Sequence, residues 1–480
     1  MRWTAILPEL YFSLVAAAFF LFAMMKDAHP RRDYAVAVVL AVVGIGVSLF
    51  SVRAEGLLFF DGYRVDLFSQ TFKVLIATGF TLAVWLCMEV DVPKGQHPEF
   101  YFLLTTCTLG MMCLVSSVEL LTLYVSLELT SYSLYVLVPM RRRQRSEVSE
   151  QKKTDLPTEA GLKYFLIGAT TSAVMLFGLA SLFGATGTTH MRELVRLLPQ
   201  WISTPMGFVG LLFTLSGFFF KLAYFPFHVW GPTVYQAASD QVTTFIATTT
   251  KVMAIAVITR IVAMSGGSDS LARLLLIFSI ASMSLGNLAA LVQKDVKRLL
   301  AYSAISHAGY VLIGVLSMTP KGYTAALFYA AAYMAMTFLC FLVVVKVSSE
   351  GRNLAVPDLA GLHRRSPLLA MGLMVGVFSL GGIPPTIGFT GKFLVFTAAM
   401  EKGHFVLVLI AMANVAVSLY YYIQIIRAAY LLEPDGEGSA ISLSLFGKSL
   451  TVALVIFVFL GGVFPGYLYE VAARAAGVLP

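Results

Sequence analysis

Apolar runs of roughly 20 residues recur along nearly the whole chain, and this repetition constrains the fold more than any other feature. An α-helix of about 20 residues crosses the roughly 30 Å hydrocarbon core of a bilayer. Because 58% of the 480 residues are hydrophobic and only 12% are charged, the chain has too little polar surface to cover a water-soluble globule. The pattern predicts an all-α, polytopic transmembrane bundle of about 14 helices.

Basic residues concentrate in the loops after odd-numbered spans, above all in the segment from Arg141 to Glu159, which we interpret as a cytoplasmic loop. An even number of spans with this bias places both termini on the non-cytoplasmic side. The same loops account for the net charge of +8, so no nucleic-acid partner is predicted. The N-terminus runs directly into apolar sequence without a cleavage site, and we expect it to be a permanent span.

Several classes of functional site are missing from the sequence. The four cysteines (Cys87, Cys107, Cys113 and Cys340) lie in apolar runs without a CxxC pair or a His/Cys cluster at metal-ligand spacing. The Gly391-Lys392 pair is not a P-loop, because Phe393 follows it and Thr386 stands where the first glycine is required. We therefore predict no metal, cofactor or nucleotide site in this chain.

Two proline-interrupted apolar segments resemble each other. Phe213–Gly217 precedes Pro226 in the seventh span, and Phe378–Gly382 precedes the prolines at 384 and 385 in the twelfth. The two lie five spans apart, and an odd offset reverses the membrane direction, so we expect two inverted five-helix repeats. The predicted division is residues 1–98 (helices 1–3), 99–264 (helices 4–8), 270–431 (helices 9–13) and 447–480 (helix 14).

Four charged residues lie deep within apolar runs: Glu128, Lys221, Lys251 and Lys392. A charge at the bilayer centre costs about 2.5–3.5 kcal/mol on the insertion scale, so each one requires an explanation. One acid and one lysine could form a buried ion pair that only sets helix packing. One acid with three lysines leaves excess charge, which favours a proton relay.

The prolines provide a second indication of a relay. Each removes a backbone donor and clashes with the preceding turn, which frees carbonyls at membrane depth. Freed carbonyls are tolerated there only when buried in protein or facing water, so we predict helices broken near Pro226 and near Pro384 and Pro385, beside the buried lysines. Simple packing kinks are the alternative.

Other polar residues are weaker candidates. His307, near Ser303 and Ser306, and His228, near Pro226, are secondary relay candidates, although either histidine could be a hydrogen-bonded core residue. Arg260 and Lys163 stand near span ends, where we expect them to extend their charges to the membrane surface. Glu119 is expected near the surface as well.

Six segments together carry a resemblance to a known family, and they extend over nearly the whole chain. The chain resembles the antiporter-like subunits of respiratory complex I (NADH-quinone oxidoreductase), above all those of the subunit N or ND2 type. The segments are PEL (8–10), LYVSLELTSYSLY (123–135), FKLAYFPFHVWGPTVYQAA (220–238), TTFIATTTK (243–251), VKRLLAYSAISHAGY (296–310) and GIPPTIGFTGKF (382–393).

The resemblance implies roles for the buried charges. Glu128 and Lys221 would be the acid and base of one half-channel, Lys251 the middle relay and Lys392 the lysine of the second half-channel. A lysine at 392 is similar to subunits N and L rather than M, and a chain ending near 480 lacks the long lateral helix of subunit L. The family often has Asn-Asp where this chain has Val118-Glu119, so a role for Glu119 is not implied.

The expected function is proton translocation in a bacterial inner membrane, driven by quinone reduction in neighbouring subunits. Those membrane partners and their peripheral subunits would hold quinone, NADH, FMN and iron–sulfur clusters, and this chain none. Two other functions remain open: a subunit of a multisubunit cation/proton antiporter or membrane-bound hydrogenase, and a structural spacer in the membrane.

Overall fold

The computed structural model describes residues 3–25, 29–89, 92–93, 95–141, 156–202, 204–348, 352–433 and 440–479. Most of the loop predicted between Arg141 and Glu159 lies outside these residues. The described α-helices are α1 (Leu7–Met24), α2 (Pro30–Phe50), α3 (Leu67–Trp85), α4 (His97–Ser116), α5 (Leu120–Leu137), α6 (Leu156–Thr186), α7 (Met191–Ile202), α8 (Pro205–Leu222), α9 (Trp230–Ala237), α10 (Asp240–Ala247), α11 (Thr249–Ala263), α12 (Asp269–Ala290), α13 (Val296–Leu316), α14 (Pro320–Val347), α15 (Leu362–Arg365), α16 (Pro367–Gly381), α17 (Ile387–Glu401), α18 (Phe405–Leu431), α19 (Leu445–Val463) and α20 (Gly466–Ala476). Strands β1 (Gly56–Leu58) and β2 (Tyr63–Val65) form an antiparallel hairpin.

Within these described ranges, 13 helical segments are long and apolar enough to cross a membrane, and α10 with α11 counts as one of them. The shorter apolar helix α16 and its continuation α17 occupy the position of the remaining predicted span. The prediction of an all-α polytopic bundle of about 14 spans is confirmed. The chain is a multi-pass membrane protein.

The helices form two compact units. The first contains the chain up to Leu222, Ala237–Arg273 and the end from Arg474; the second contains Ala223–Gln236 and Leu274–Ala473. The two units are defined by the contacts within each of them. They do not test the predicted inverted repeats, which stay a prediction.

Each unit contains helices whose residues are almost all buried. In the first, every residue in the most apolar stretch of the span formed by α10 and α11 is buried, whereas only 28% of the residues in the corresponding stretch of α2 are buried. In the second, 94% of the residues in the most apolar stretches of α13 and of α14 are buried, whereas 28% of those in α19 are. The most buried helices, among them those of Lys251 and His307, are therefore shielded by the rest of the chain, and the outer helices present apolar side chains outward.

Polar residues fix where several helices begin. Asp66 accepts a hydrogen bond from the Ser69 backbone and starts α3 with a capping box. Glu119 accepts from the Thr122 backbone at the start of α5. Thr319, followed by Pro320 at the first helical position, starts α14.

Two interruptions confirm the predicted broken helices. Helix α8 ends at Leu222, and helical structure resumes only at Trp230, with Pro226 between them. Helix α16 ends at Gly381, where Gly382 adopts a left-handed conformation with φ of 81°, and α17 begins at Ile387 after the two prolines. A third interruption, at Thr248 between α10 and α11, has no proline and was not predicted.

Candidate proton-relay site

The first buried acid and base lie in the first unit, on neighbouring helices. Glu128 of α5 is 8% exposed and Lys221, in the last turn of α8, is 1% exposed. Helix α6, which lies between α5 and α8 along the chain, packs closely against α8. A Cβ at Gly178 would stand 2.4 Å from the Thr214 backbone nitrogen of α8. That backbone-to-backbone approach fixes the position of the helix that carries Lys221.

Glu128 and Lys221 do not form a direct ion pair, although both residues are described. The Ser172 hydroxyl of α6 donates a hydrogen bond to Oε1 of Glu128 instead. The buried Nζ of Lys221 has no hydrogen-bond partner and lies 6.0 Å from the centre of the Tyr135 ring. The lysine nevertheless remains in electrostatic interaction with Glu128. Contact through a single water stays a prediction.

Lys251 binds the end of the first broken helix. Its Nζ donates a hydrogen bond of 2.6 Å to the carbonyl oxygen of Leu222, the last residue of α8. Because the interruption leaves that carbonyl without its intrahelical donor, the ammonium satisfies a group freed by the break. Lys251 also interacts electrostatically with Lys221. Two ammonium groups in one buried unit repel each other, so a charge on one opposes a charge on the other.

Lys392 repeats this arrangement in the second unit. Its Nζ donates hydrogen bonds of 2.8 Å to the Leu380 carbonyl and 3.1 Å to the Gly381 carbonyl, at the end of α16. The ammonium also lies 4.9 Å from the centre of the Tyr310 ring. A buried lysine thus binds the carbonyl end of each proline-broken helix, Lys251 from the separate helix α11 and Lys392 from α17, the second half of its own interrupted span.

His307 belongs to a polar network in the second unit. Its Nδ1 is 2.7 Å from the Tyr329 hydroxyl, and its Nε2 is 3.1 Å from the Tyr422 hydroxyl, which in turn binds Ser303. The histidine interacts electrostatically with Lys392. Both ring nitrogens therefore have partners that donate or accept protons, an arrangement compatible with a relay member and with a satisfied core histidine.

His228 is placed differently. It lies between α8 and α9, assigned to the second unit, and its ring stacks on Phe225 at 5.8 Å between ring centres. Its Nδ1 is buried without a hydrogen-bond partner. The role of His228 in the relay stays a prediction.

The expectation for Arg260 was wrong. The side chain does not extend to the membrane surface but is 5% exposed, and one guanidinium nitrogen lies 2.7 Å and 3.0 Å from the two carboxylate oxygens of Asp66. Because Asp66 stands 194 residues earlier, the pairing joins α3 to α11, the helix of Lys251. Lys163, in contrast, is exposed and pairs with Glu159, as its position near a span end suggested.

Sequence reasoning also missed a buried acid and base among the first helices. Glu9 of α1 and Lys73 of α3 form an ion pair of 2.6 Å, and the Tyr63 hydroxyl donates a hydrogen bond to the same carboxylate oxygen. The "PEL" segment was noticed only as part of the resemblance. Lys73 is two turns into its helix, and the buried environment that distinguishes it is a property of the fold.

The comparisons with known proteins agree on one family. Residues 117–418 match the family described as "NADH:quinone oxidoreductase/Mrp antiporter, TM". The chain belongs to this antiporter-like family. A family member from Syntrophobacter fumaroxidans named NADH-quinone oxidoreductase subunit N 2 is 53% identical over 100% of both chains.

Solved structures of the antiporter-like family have the same fold. A chain of respiratory complex I from Thermus thermophilus is 30% identical with a TM-score of 0.81, and the match covers 97% of this chain and 99% of that one. A chain of the Mrp complex from Dietzia has a TM-score of 0.87 at 20% identity, covering 100% and 98%. The second likeness shows a shared fold alone.

Proposed function

We propose that this chain is the proton-translocating subunit N of an NADH-quinone oxidoreductase. The observation that carries the proposal is the 53% identity, over full length, to a relative with that name. The Mrp chain matches the fold at a higher TM-score but at only 20% identity, so fold similarity does not decide between the two functions.

The proposed assembly lies in a bacterial inner membrane, with lipid around the outer helices and both termini on the non-cytoplasmic side. Other membrane subunits would adjoin this chain. Quinone, NADH, FMN and iron–sulfur clusters would belong to partner subunits, and the energy of quinone reduction would reach this chain through a neighbour.

The proposed mechanism is a relay of protons through Lys221, Lys251 and Lys392, switched by Glu128. An opposite charge nearby favours the ammonium form of a buried lysine, whereas desolvation without that charge favours the neutral amine. The described arrangement, with Glu128 bound to Ser172 and Lys221 without a partner, supports the open position of such a switch. Movement of the Glu128 carboxylate towards Lys221 would load the lysine with a proton.

Repulsion would then pass the charge onwards. When Lys221 gains a proton, its electrostatic interaction with Lys251 disfavours a second ammonium in the same unit. Lys251 would then release its proton, and its charged hydrogen bond to the Leu222 carbonyl would be lost at the same time. In the second unit, Lys392 would act with His307, to which it is electrostatically coupled.

Substitution of Lys221 tests the relay in the intact complex. Lys221→Ala should abolish or strongly reduce proton pumping in reconstituted vesicles, and Lys221→Arg should not restore it, since arginine keeps its proton at any accessible pH. Lys163→Ala is the matched control, because Lys163 is an exposed lysine paired with Glu159 on α6. Normal pumping at undiminished turnover in Lys221→Ala would refute the relay and favour a structural spacer.

Purification of the complex tests the alternative that the shared Mrp fold suggests. Flavin and iron–sulfur absorbance in the complex that co-purifies with this chain supports the oxidoreductase. Sodium-dependent proton exchange in a preparation without that absorbance would instead support a cation/proton antiporter.

A further inference from the structure

A closed polar cluster in the first unit has no part in the relay described above. It consists of Glu9, Lys73 and Tyr63, and we call it the N-terminal cluster. Glu9 is 8% exposed, Lys73 0% and Tyr63 6%. Glu9 comes from the first turn of α1, Lys73 from the second turn of α3, and Tyr63 from the hairpin.

The two oxygens of the Glu9 carboxylate have different surroundings. Oε1 accepts a hydrogen bond from the Tyr63 hydroxyl and lies 2.6 Å from Nζ of Lys73. The Lys73 ammonium is also 5.5 Å from the centre of the Tyr63 ring. Oε2 is buried and has no hydrogen-bond partner. A buried ion pair that served packing alone requires its remaining lone pairs to be satisfied, because an unpaired acceptor in the interior costs about 1–3 kcal/mol.

Tyr63 is held as a hydrogen-bond donor. Burial, and secondly the negative charge of Glu9, raise the pKa of its phenol well above the ordinary value. The hydroxyl therefore keeps its proton and directs it at Oε1, so an added proton has Oε2 as its acceptor. The titratable groups near this cluster include the partly buried thiol of Cys113 and the carboxylate of Asp66, which pairs with both Arg260 and Arg64.

The elements of the cluster lead towards the relay residues of the same unit. The hairpin pairs Tyr63 with Ser117, just before Glu119 starts the helix of Glu128. Helix α3 approaches α11 so closely at Gly79 that a Cβ there would stand 2.4 Å from Oγ1 of Thr249, two residues before Lys251. The hairpin and α3, which hold Tyr63 and Lys73, thus contact the segments at the start of α5 and of α11, the helices of Glu128 and Lys251.

We propose that the N-terminal cluster is a second proton-binding site, at which Oε2 of Glu9 takes up and releases a proton while Lys73 remains an ammonium. This inference rests on the proposed function. Uptake converts the neutral Glu9–Lys73 pair into a protonated carboxyl beside an ammonium, with a net charge of +1 and one proton bound. Release of that proton restores the ion pair, and no other co-reactant is required.

The test combines single and double neutralisation in the intact complex. Glu9→Gln or Lys73→Met alone leaves one buried charge without its partner, which is destabilising, whereas the double variant removes both charges and should still assemble. If the pair only supports packing, the double variant pumps as many protons per NADH oxidised as the wild type. If Glu9 carries protons, the double variant still oxidises NADH but translocates fewer protons per NADH oxidised than the wild type.

Difference infrared spectroscopy during turnover detects protonation of a carboxyl group directly, and a purely structural role of the pair would give no such signal. We expect a protonated-carboxyl band that disappears in the Glu9→Gln, Lys73→Met double variant and shifts in Tyr63→Phe, which keeps both charges and removes only the hydrogen bond to Oε1. A band unchanged in both variants, or a wild-type proton ratio in the double variant, would overturn the proposal. Lys221→Ala is measured in parallel, since normal pumping in that variant would count against the proposed function itself.

Discussion

Replacing Lys392 by methionine separates proton carriage from helix packing, because the structure predicts opposing effects on stability. The change removes two hydrogen bonds from the ammonium to the Leu380 and Gly381 carbonyls. Hydrogen bonds to charged groups contribute about 1.5–3 kcal/mol each, so their loss costs about 3–6 kcal/mol. The change also removes the desolvation cost of a buried ammonium, which is several kcal/mol. The two terms are of similar size, and methionine retains most of the apolar stem.

We therefore expect Lys392→Met to assemble near the wild-type level and to lose proton pumping. The assay compares protons translocated per NADH oxidised in vesicles, with the amount of assembled complex measured on the same preparation. Lys163→Met is the control, since that lysine is exposed. A wild-type proton ratio at full turnover in Lys392→Met would refute the assignment of Lys392 as a proton carrier.

Two further predictions concern residues that hold the helices. Asp66→Asn keeps a good helix cap but removes the negative charge beside Arg260. We therefore expect it to destabilise the purified complex by about 3–5 kcal/mol, measured by thermal denaturation. The double variant Asp66→Asn with Arg260→Leu should recover much of that stability, because the unpaired charge is removed as well. Burial raises the pKa of Glu119, but hydrogen bonds from Thr122 and its neighbours lower it more, and the net shift is downward. Its stabilising effect is therefore present at neutral pH and lost as the pH falls through the lowered pKa, so the stability difference between wild type and Glu119→Gln, about 0.5–2 kcal/mol, should shrink on acidification.

The broad architecture was predictable because lipid imposes a simple rule on sequence. Spans require about 20 apolar residues, and a proline within such a run interrupts the hydrogen bonds of its helix. The breaks near Pro226 and Pro384 follow directly from that rule. The interruption at Thr248 does not, because its backbone conformation depends on packing and no residue type there forbids a helix.

The partners of the charged residues were much less predictable. A charge in the middle of an apolar run is conspicuous, but one near its end has an ordinary explanation in side chains that reach the surface. Arg260 was misjudged for that reason and Lys73 was not singled out at all, although the folded chain buries both side chains. Their partners, Asp66 and Glu9, stand in distant parts of the sequence.

The structure also explains how two of the deep lysines, Lys251 and Lys392, are accommodated without a carboxylate partner. Lys251 and Lys392 each bind carbonyls at the end of a broken helix, where the aligned peptide dipoles place partial negative charge. Interaction with such an end is worth up to about 2 kcal/mol in partly buried geometry, much less than a carboxylate provides at the same distance in a protein interior. A carboxylate partner would hold the ammonium firmly and could itself take the proton, whereas backbone carbonyls do neither. We expect lysines bound in this way to be stabilised in the protein interior yet to remain able to give up a proton, which is the property that the proposed relay requires of its intermediate sites.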